Sequence, residues 1–162
     1  MSIKVICTGG TFDKVYYDAL SEFSIGEPMA GPLLEEAGVS FNYSIESLLK
    51  KDSLEFTDAD RDTLACCIQA SHENKILVIH GTDTMALSAR HLGSVSDKTI
   101  VFTGAMQPAR MRNSDAPFNL GFALGVLHCL PAGVYLAMQG QVFTPDNVQK
   151  NRQQSRFEPL QP

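Results

Sequence analysis

The chain has 162 residues, 44% of them hydrophobic and 19% charged, with a formal net charge of -5. That size and balance suit one domain with a buried core and exclude a disordered chain. The acidic charge, with no Lys/Arg cluster, argues against nucleic acid or an anionic membrane as partner, and no apolar run approaches a membrane span.

Ile3-Lys4-Val5-Ile6-Cys7 is an apolar strand reached with no signal-peptide layout, which points to a cytoplasmic protein. It breaks at Thr8-Gly9-Gly10-Thr11, a glycine turn of the kind that ends strands at ligand sites. The dinucleotide spacing G-x-G-x-x-G is absent. Phe12 to Glu27 carries Phe12, Tyr16, Tyr17 and Phe23 among charges without a clear period. That pattern suggests a functional flap, or a surface loop anchored by its aromatics. Pro28 to Ala37 predicts a short helix closed by Gly38, and Val39 to Ile45 alternates like a strand. After the polar turn Asp52-Ser53-Leu54-Glu55-Phe56, Thr57 and Asp58 can cap a helix running to about His72. Its buried face is Leu64, Ala65, Cys67 and Ile68.

Lys75-Ile76-Leu77-Val78-Ile79 reads as a fully buried strand and leads into His80-Gly81-Thr82-Asp83-Thr84-Met85. Thr82 offers a hydroxyl, Asp83 a carboxylate, and Gly81 close approach of backbone. The same residues would equally serve as the N-cap of the helix from Met85 to Leu92. Lys98 to Phe102 is another buried strand, ending in Thr103-Gly104. A polar loop over 109–116 follows, and Ser114 or Asp115 can cap a helix from Pro117 to Leu130. That helix is apolar almost all round, which predicts deep packing. Gly133 to Met138 is the last clear strand, and 151–162 reads as a loosely ordered tail. The cysteines Cys7, Cys66, Cys67 and Cys129 lie within predicted elements and are expected as buried free thiols of a reducing compartment.

Strands alternating with helices predict a single α/β domain. Its sheet is doubly wound and mainly parallel, with helices on both faces, flavodoxin- or Rossmann-like. Thr11, Thr82 and Thr103 then fall at carboxyl ends of separate strands, where at least two of them can meet. A hydroxyl nucleophile needs a base. Asp83 is a weak one, and a neutral lysine is stronger. Lys150 is the candidate, although by residue type alone it reads as a solvated surface lysine.

Thr8-Gly9-Gly10-Thr11-Phe12 and His80-Gly81-Thr82-Asp83-Thr84-Met85 resemble, in order, the two signatures of the bacterial-type L-asparaginase family. Thr103 to Pro108 and Ser114 to Leu120 resemble its next block, and the likeness runs from near residue 3 to about residue 150. The resemblance implies hydrolysis of a side-chain amide, as in asparagine to aspartate and ammonia. It implies Thr11 as nucleophile on a mobile segment, and Thr82, Asp83 and Lys150 as a second catalytic group. Ser53, Gly81 and Asp83 would bind substrate, with Ser53 on the α-carboxylate and Asp83 on the α-ammonium. Backbone N–H groups near Thr82 could hold the oxyanion. No cofactor or metal is called for, and the partner is a small amino-acid amide.

The family carries a second, smaller C-terminal domain, and the likeness covers only the N-terminal one. A single-domain enzyme of this kind is expected to self-associate as a homodimer or higher homo-oligomer. Four departures stand out. Phe23 falls where the family has a catalytic Tyr, leaving Tyr16 or Tyr17 to supply a hydroxyl. Leu54 replaces a polar substrate contact, Gln107 a usual Arg, and Ala116 a usual Gly. These allow a second reading, a binding or regulatory protein that keeps the pocket and turns over little.

Overall fold

In the computed structural model, which describes residues 2–161, a six-stranded sheet divides the molecule into two apolar layers. The strands are β1 (Ser2–Gly9), β4 (Asn42–Lys51), β5 (Lys75–Ile79), β6 (Thr99–Thr103), β7 (Gly133–Met138) and β8 (Gln141–Phe143). Two more strands, β2 (Lys14–Tyr17) and β3 (Glu22–Ile25), form an antiparallel hairpin after β1. Another hairpin, β9 (Gln149–Asn151) with β10 (Arg156–Glu158), follows β8. The helices are α1 (Ala30–Glu36), α2 (Asp58–Ala70), α3 (Met85–His91) and α4 (Ala116–Cys129).

The sheet order is β4-β1-β5-β6-β7-β8, parallel throughout except for the antiparallel edge pair β7–β8. Numbered among themselves, the parallel strands run 2-1-3-4-5, the flavodoxin-like order. The chain therefore reverses its winding between β1 and β5, the place where such sheets open a crevice at their carboxyl ends.

Alternate residues along each strand point to opposite faces. Ile3, Val5, Leu77, Ile79 and Val101 join Ala30 and Leu34 of α1 and Leu120 and Leu127 of α4 in one core. Ile6, Ile76, Val78, Ile100 and Phe102 join Leu64 and Ile68 of α2 and Met85 and Ala89 of α3 in the other. Helices thus cover both faces, as expected. Thr57 and Asp60 close a reciprocal capping box at the start of α2, Asp60 N donating to Thr57 Oγ1 at 3.3 Å and Thr57 N to Asp60 Oδ2 at 2.8 Å.

Several expectations need correcting. The segment after Phe12 is a hairpin rather than irregular, because Tyr16 and Phe23 pair across β2 and β3 with ring centroids 5.2 Å apart. Three strands follow Met138. The expected loose tail contains β10, pinned by buried Phe157. Only Cys7 is a buried thiol; Cys66 and Cys129 are exposed and Cys67 half-buried, because α2 and α4 turn those positions outward. Helix α4 packs deeply along Leu120, Ala123 and Leu127 but leaves Phe118 61% exposed.

Candidate active site

Gly10 and Gly81 follow the two strands that flank the switch point, β1 and β5, and their backbones touch. A Cβ added to Gly10 would lie 2.5 Å from Gly81 Cα, and one added to Gly81 would lie 2.6 Å from Ser53 Cβ. Gly10 also has φ +77°, the left-handed region that favours glycine. The two glycines therefore bring three segments within van der Waals contact: Thr11 after β1, Ser53 after β4, and Thr82 after β5.

The strand-end stretch His80–Met85 is not used as a helix cap. Thr84 stands at the N-cap of α3 without a side-chain capping bond. Its hydroxyl instead donates to Ser53 O at 2.7 Å, and its N–H donates to Ser53 Oγ at 3.3 Å. Ser53 is accordingly buried beneath Gly81, with Leu54 exposed beside it. Thr82 and Asp83 point the other way, to the β9–β10 hairpin. Lys150 Nζ donates to Thr82 Oγ1 at 2.7 Å and to Asp83 Oδ1 at 2.9 Å. Lys150 is no solvated surface lysine: its side chain is 17% exposed.

Lys150 is positioned by Gln139, which follows β7. Its Nε2 donates to Ser155 O at 2.9 Å and its Oε1 accepts Phe157 N at 2.9 Å. Phe157 pairs directly with Lys150 in the hairpin register. Gln139 N in turn donates to Asn119 Oδ1, and Asn119 Nδ2 donates to Gly104 O at 3.0 Å. Asp115 holds the turn after β6 by accepting Met106 N and Gln107 N. A polar chain from α4 thus supports the hairpin that carries the lysine.

Thr11 opens a short 3-10 turn, Thr11–Asp13, at the foot of the β2–β3 hairpin and is half-buried. The foot is fixed by Asp13, whose Oδ1 accepts Met29 N at 2.9 Å, and by Arg110, which donates to Asp13 O and Glu27 O. Burial raises the Asp13 carboxyl to about 6 against the backbone bond from Met29. His80 lies fully buried between Phe56 and Phe102, and desolvation lowers it to about 4, so the ring is neutral.

Of the expected residues, Thr82, Asp83 and Lys150 make direct contact, while Thr11, Ser53 and Gly81 adjoin them through backbone packing. Thr103 does not join the site. It is buried and donates to Ala137 O at 2.8 Å, tying β6 to β7. Phe23, Tyr16 and Tyr17 lie exposed on the hairpin above Thr11, with Tyr16 directly opposite Phe23. Arg152 was missed by sequence reasoning: its Nε lies 3.3 Å from Asp83 Oδ1. Arg152 follows β9 and opens the turn to β10, so no strand period in the sequence signals it. Among the described residues, no cluster of His, Cys, Asp and Glu could hold a metal ion, and the N–H groups of Thr82 and Asp83 donate no hydrogen bond.

Residues 2–158 match the family profile described as Asparaginase, N-terminal. The glutaminase-asparaginase of Acinetobacter glutaminasificans is 27% identical over 170 residues, covering 92% of this chain and 49% of that protein. The thermostable L-asparaginase of Thermococcus kodakarensis superposes with a TM-score of 0.84 at 25% identity, over 98% of this chain and 51% of that one. L-asparaginase I of Vibrio cholerae gives 0.82 at 25% identity, with the same coverages. The chain spans about half the length of the relatives it matches.

Proposed function

Because this chain belongs to the asparaginase family through its N-terminal domain, we propose that it hydrolyses the side-chain amide of L-asparagine or a related small amide. The products are the acid and ammonia. The observation that carries this reading is Lys150 Nζ set 2.7 Å from Thr82 Oγ1 and 2.9 Å from Asp83 Oδ1 at the switch point of the sheet.

Thr11 Oγ attacks the amide carbon. The C–N bond breaks, the nitrogen leaves as ammonia with the proton the hydroxyl gave up, and an ester to Thr11 remains. Water then attacks that ester, its C–O bond breaks, and the acid departs. Lys150 in its neutral form draws the proton from Thr82, so the pair can relay a proton between nucleophile, water and leaving nitrogen. Asp83 orients the amine. The N–H groups of Thr82 and Asp83, which donate to no protein acceptor among the described residues, are the donors we assign to the oxyanion, where one donor is worth about 3 kcal/mol. Ser53, buried beneath Gly81 with its Oγ accepting Thr84 N, holds the turn that presents Thr82 and Asp83.

Purified protein should release ammonia from asparagine, glutamine or a related amide. Thr11→Val and Thr82→Val should each lower the rate by at least about 100-fold. The absence of turnover, together with calorimetric binding of aspartate, would replace this reading with that of an amino-acid-binding protein.

A further inference from the structure

Asp83 is doubly paired. Lys150 Nζ at 2.9 Å and Arg152 Nε at 3.3 Å converge on the same oxygen, Oδ1. Of the other charges nearby, Lys14 pairs with Asp52 at 3.2 Å and Arg156 with Glu158 at 3.0 Å, while Arg90 and Asp146, of opposite sign, line the same cleft as Asp83 and Lys150. The Asp83 charge is thus neutralised by Arg152 alone if Lys150 is the neutral base, and exceeded if Lys150 is charged. A free ammonium approaching Asp83 Oδ1 would meet a cation already in place. Arg152 meanwhile keeps its terminal nitrogens open among the described residues, on a side chain 64% exposed. A guanidinium fork of that kind matches a carboxylate in two-point contact.

We propose that Arg152 sets the substrate class: an amide whose far end is a carboxylate with no free ammonium beside it, such as the monoamide of a dicarboxylic acid. The proposal rests on the amidohydrolase reading and narrows it. The amide meets Thr11 and the Thr82–Lys150 pair, and the far carboxylate meets Arg152. Asp83 holds the two cations apart and in register rather than serving an ammonium.

The test pits succinamate against L-asparagine, which differ only by the α-amino group. The wild-type protein should favour succinamate in kcat/KM by at least about tenfold, the equivalent of one charge-assisted contact. Arg152→Gln should remove that preference, mainly by raising KM for succinamate, and Arg152→Lys should restore part of it. A wild-type preference for asparagine, or the same ratio in Arg152→Gln, overturns the proposal. If neither amide is hydrolysed, the amidohydrolase reading fails, and calorimetry with succinate and aspartate reads recognition by itself. Tighter succinate binding that Arg152→Gln abolishes upholds the role of Arg152; equal binding of the two overturns it.

Discussion

Two buried titratable side chains near the site pull stability in opposite directions with pH. Asp13, raised to about 6 by desolvation, binds its proton more tightly folded than unfolded, so its contribution falls as pH rises from about 4 to 6. His80, lowered to about 4, does the reverse: it weakens the fold as pH drops from about 6.5 to 4. The displacement of Asp13 corresponds to at most about 3 kcal/mol. The two slopes should largely cancel in the wild type over pH 4 to 6. Asp13→Asn keeps an acceptor for Met29 N without the buried charge, so it should raise the melting temperature at pH 7.5. It should also uncover a stability that climbs steadily with pH across the His80 window. A melting temperature unchanged at pH 7.5 would refute this. Lys150→Met, at the same scale, should cost at least about 100-fold in turnover. A fully active variant would make the lysine a bystander.

At the scale of elements, the β2–β3 hairpin that follows Thr11 carries three exposed aromatics, Tyr16, Tyr17 and Phe23. Tyr16 faces Phe23 across the ladder, whereas Tyr17 pairs with Glu22 and so lies on the opposite side. We propose Tyr16 as the flap hydroxyl, since it shares its side of the hairpin with Phe23. Tyr16→Phe should lower kcat more than Tyr17→Phe, and Phe23→Tyr should raise it. Equal effects of the two tyrosine changes would remove the hairpin from the chemistry. The contact between the strand ends is less forgiving. Gly81→Ala places a methyl 2.6 Å from Ser53 Cβ, an overpacking that should cost about 1–3 kcal/mol in urea unfolding and displace Thr82 from Lys150. Gly121→Ala, where an added Cβ meets nothing within 4 Å, is the control.

At the scale of the molecule, an apolar patch is exposed where α4 meets the edge strand β8. Phe118 and Phe122 stack there with centroids 6.4 Å apart, and Val142 is 42% exposed. We propose that a second copy of the chain covers this surface, since exposed patches beside an open strand edge favour isologous pairing. Light scattering at micromolar concentration should give a dimer mass or higher, and Phe118→Asp should reduce it. A wild-type monomer mass would refute the pairing.

The apolar runs at 3–7, 75–79 and 133–138 specified strands, and their alternation with amphipathic helices specified a doubly wound sheet, because a run buried on both faces has few other folds open to it. Thr11, Thr82 and Asp83 were legible as strand-end residues for the same reason. The hairpins were not, since β9 and β10 are three residues each and their pairing depends on Gln139 and Phe157. What His80 to Met85 is for was also undecided along the chain: a capped helix and a site share those residues. The structure leaves Thr84 without a side-chain capping bond and brings a distant strand onto Thr82 and Asp83. Lys150 lies 67 residues beyond Asp83 in sequence and 2.9 Å from it in space. Arg152 comes with it from the first position of the β9–β10 turn. A linear pattern carries burial and period; which charges share one carboxylate is decided by where the fold lays its later strands.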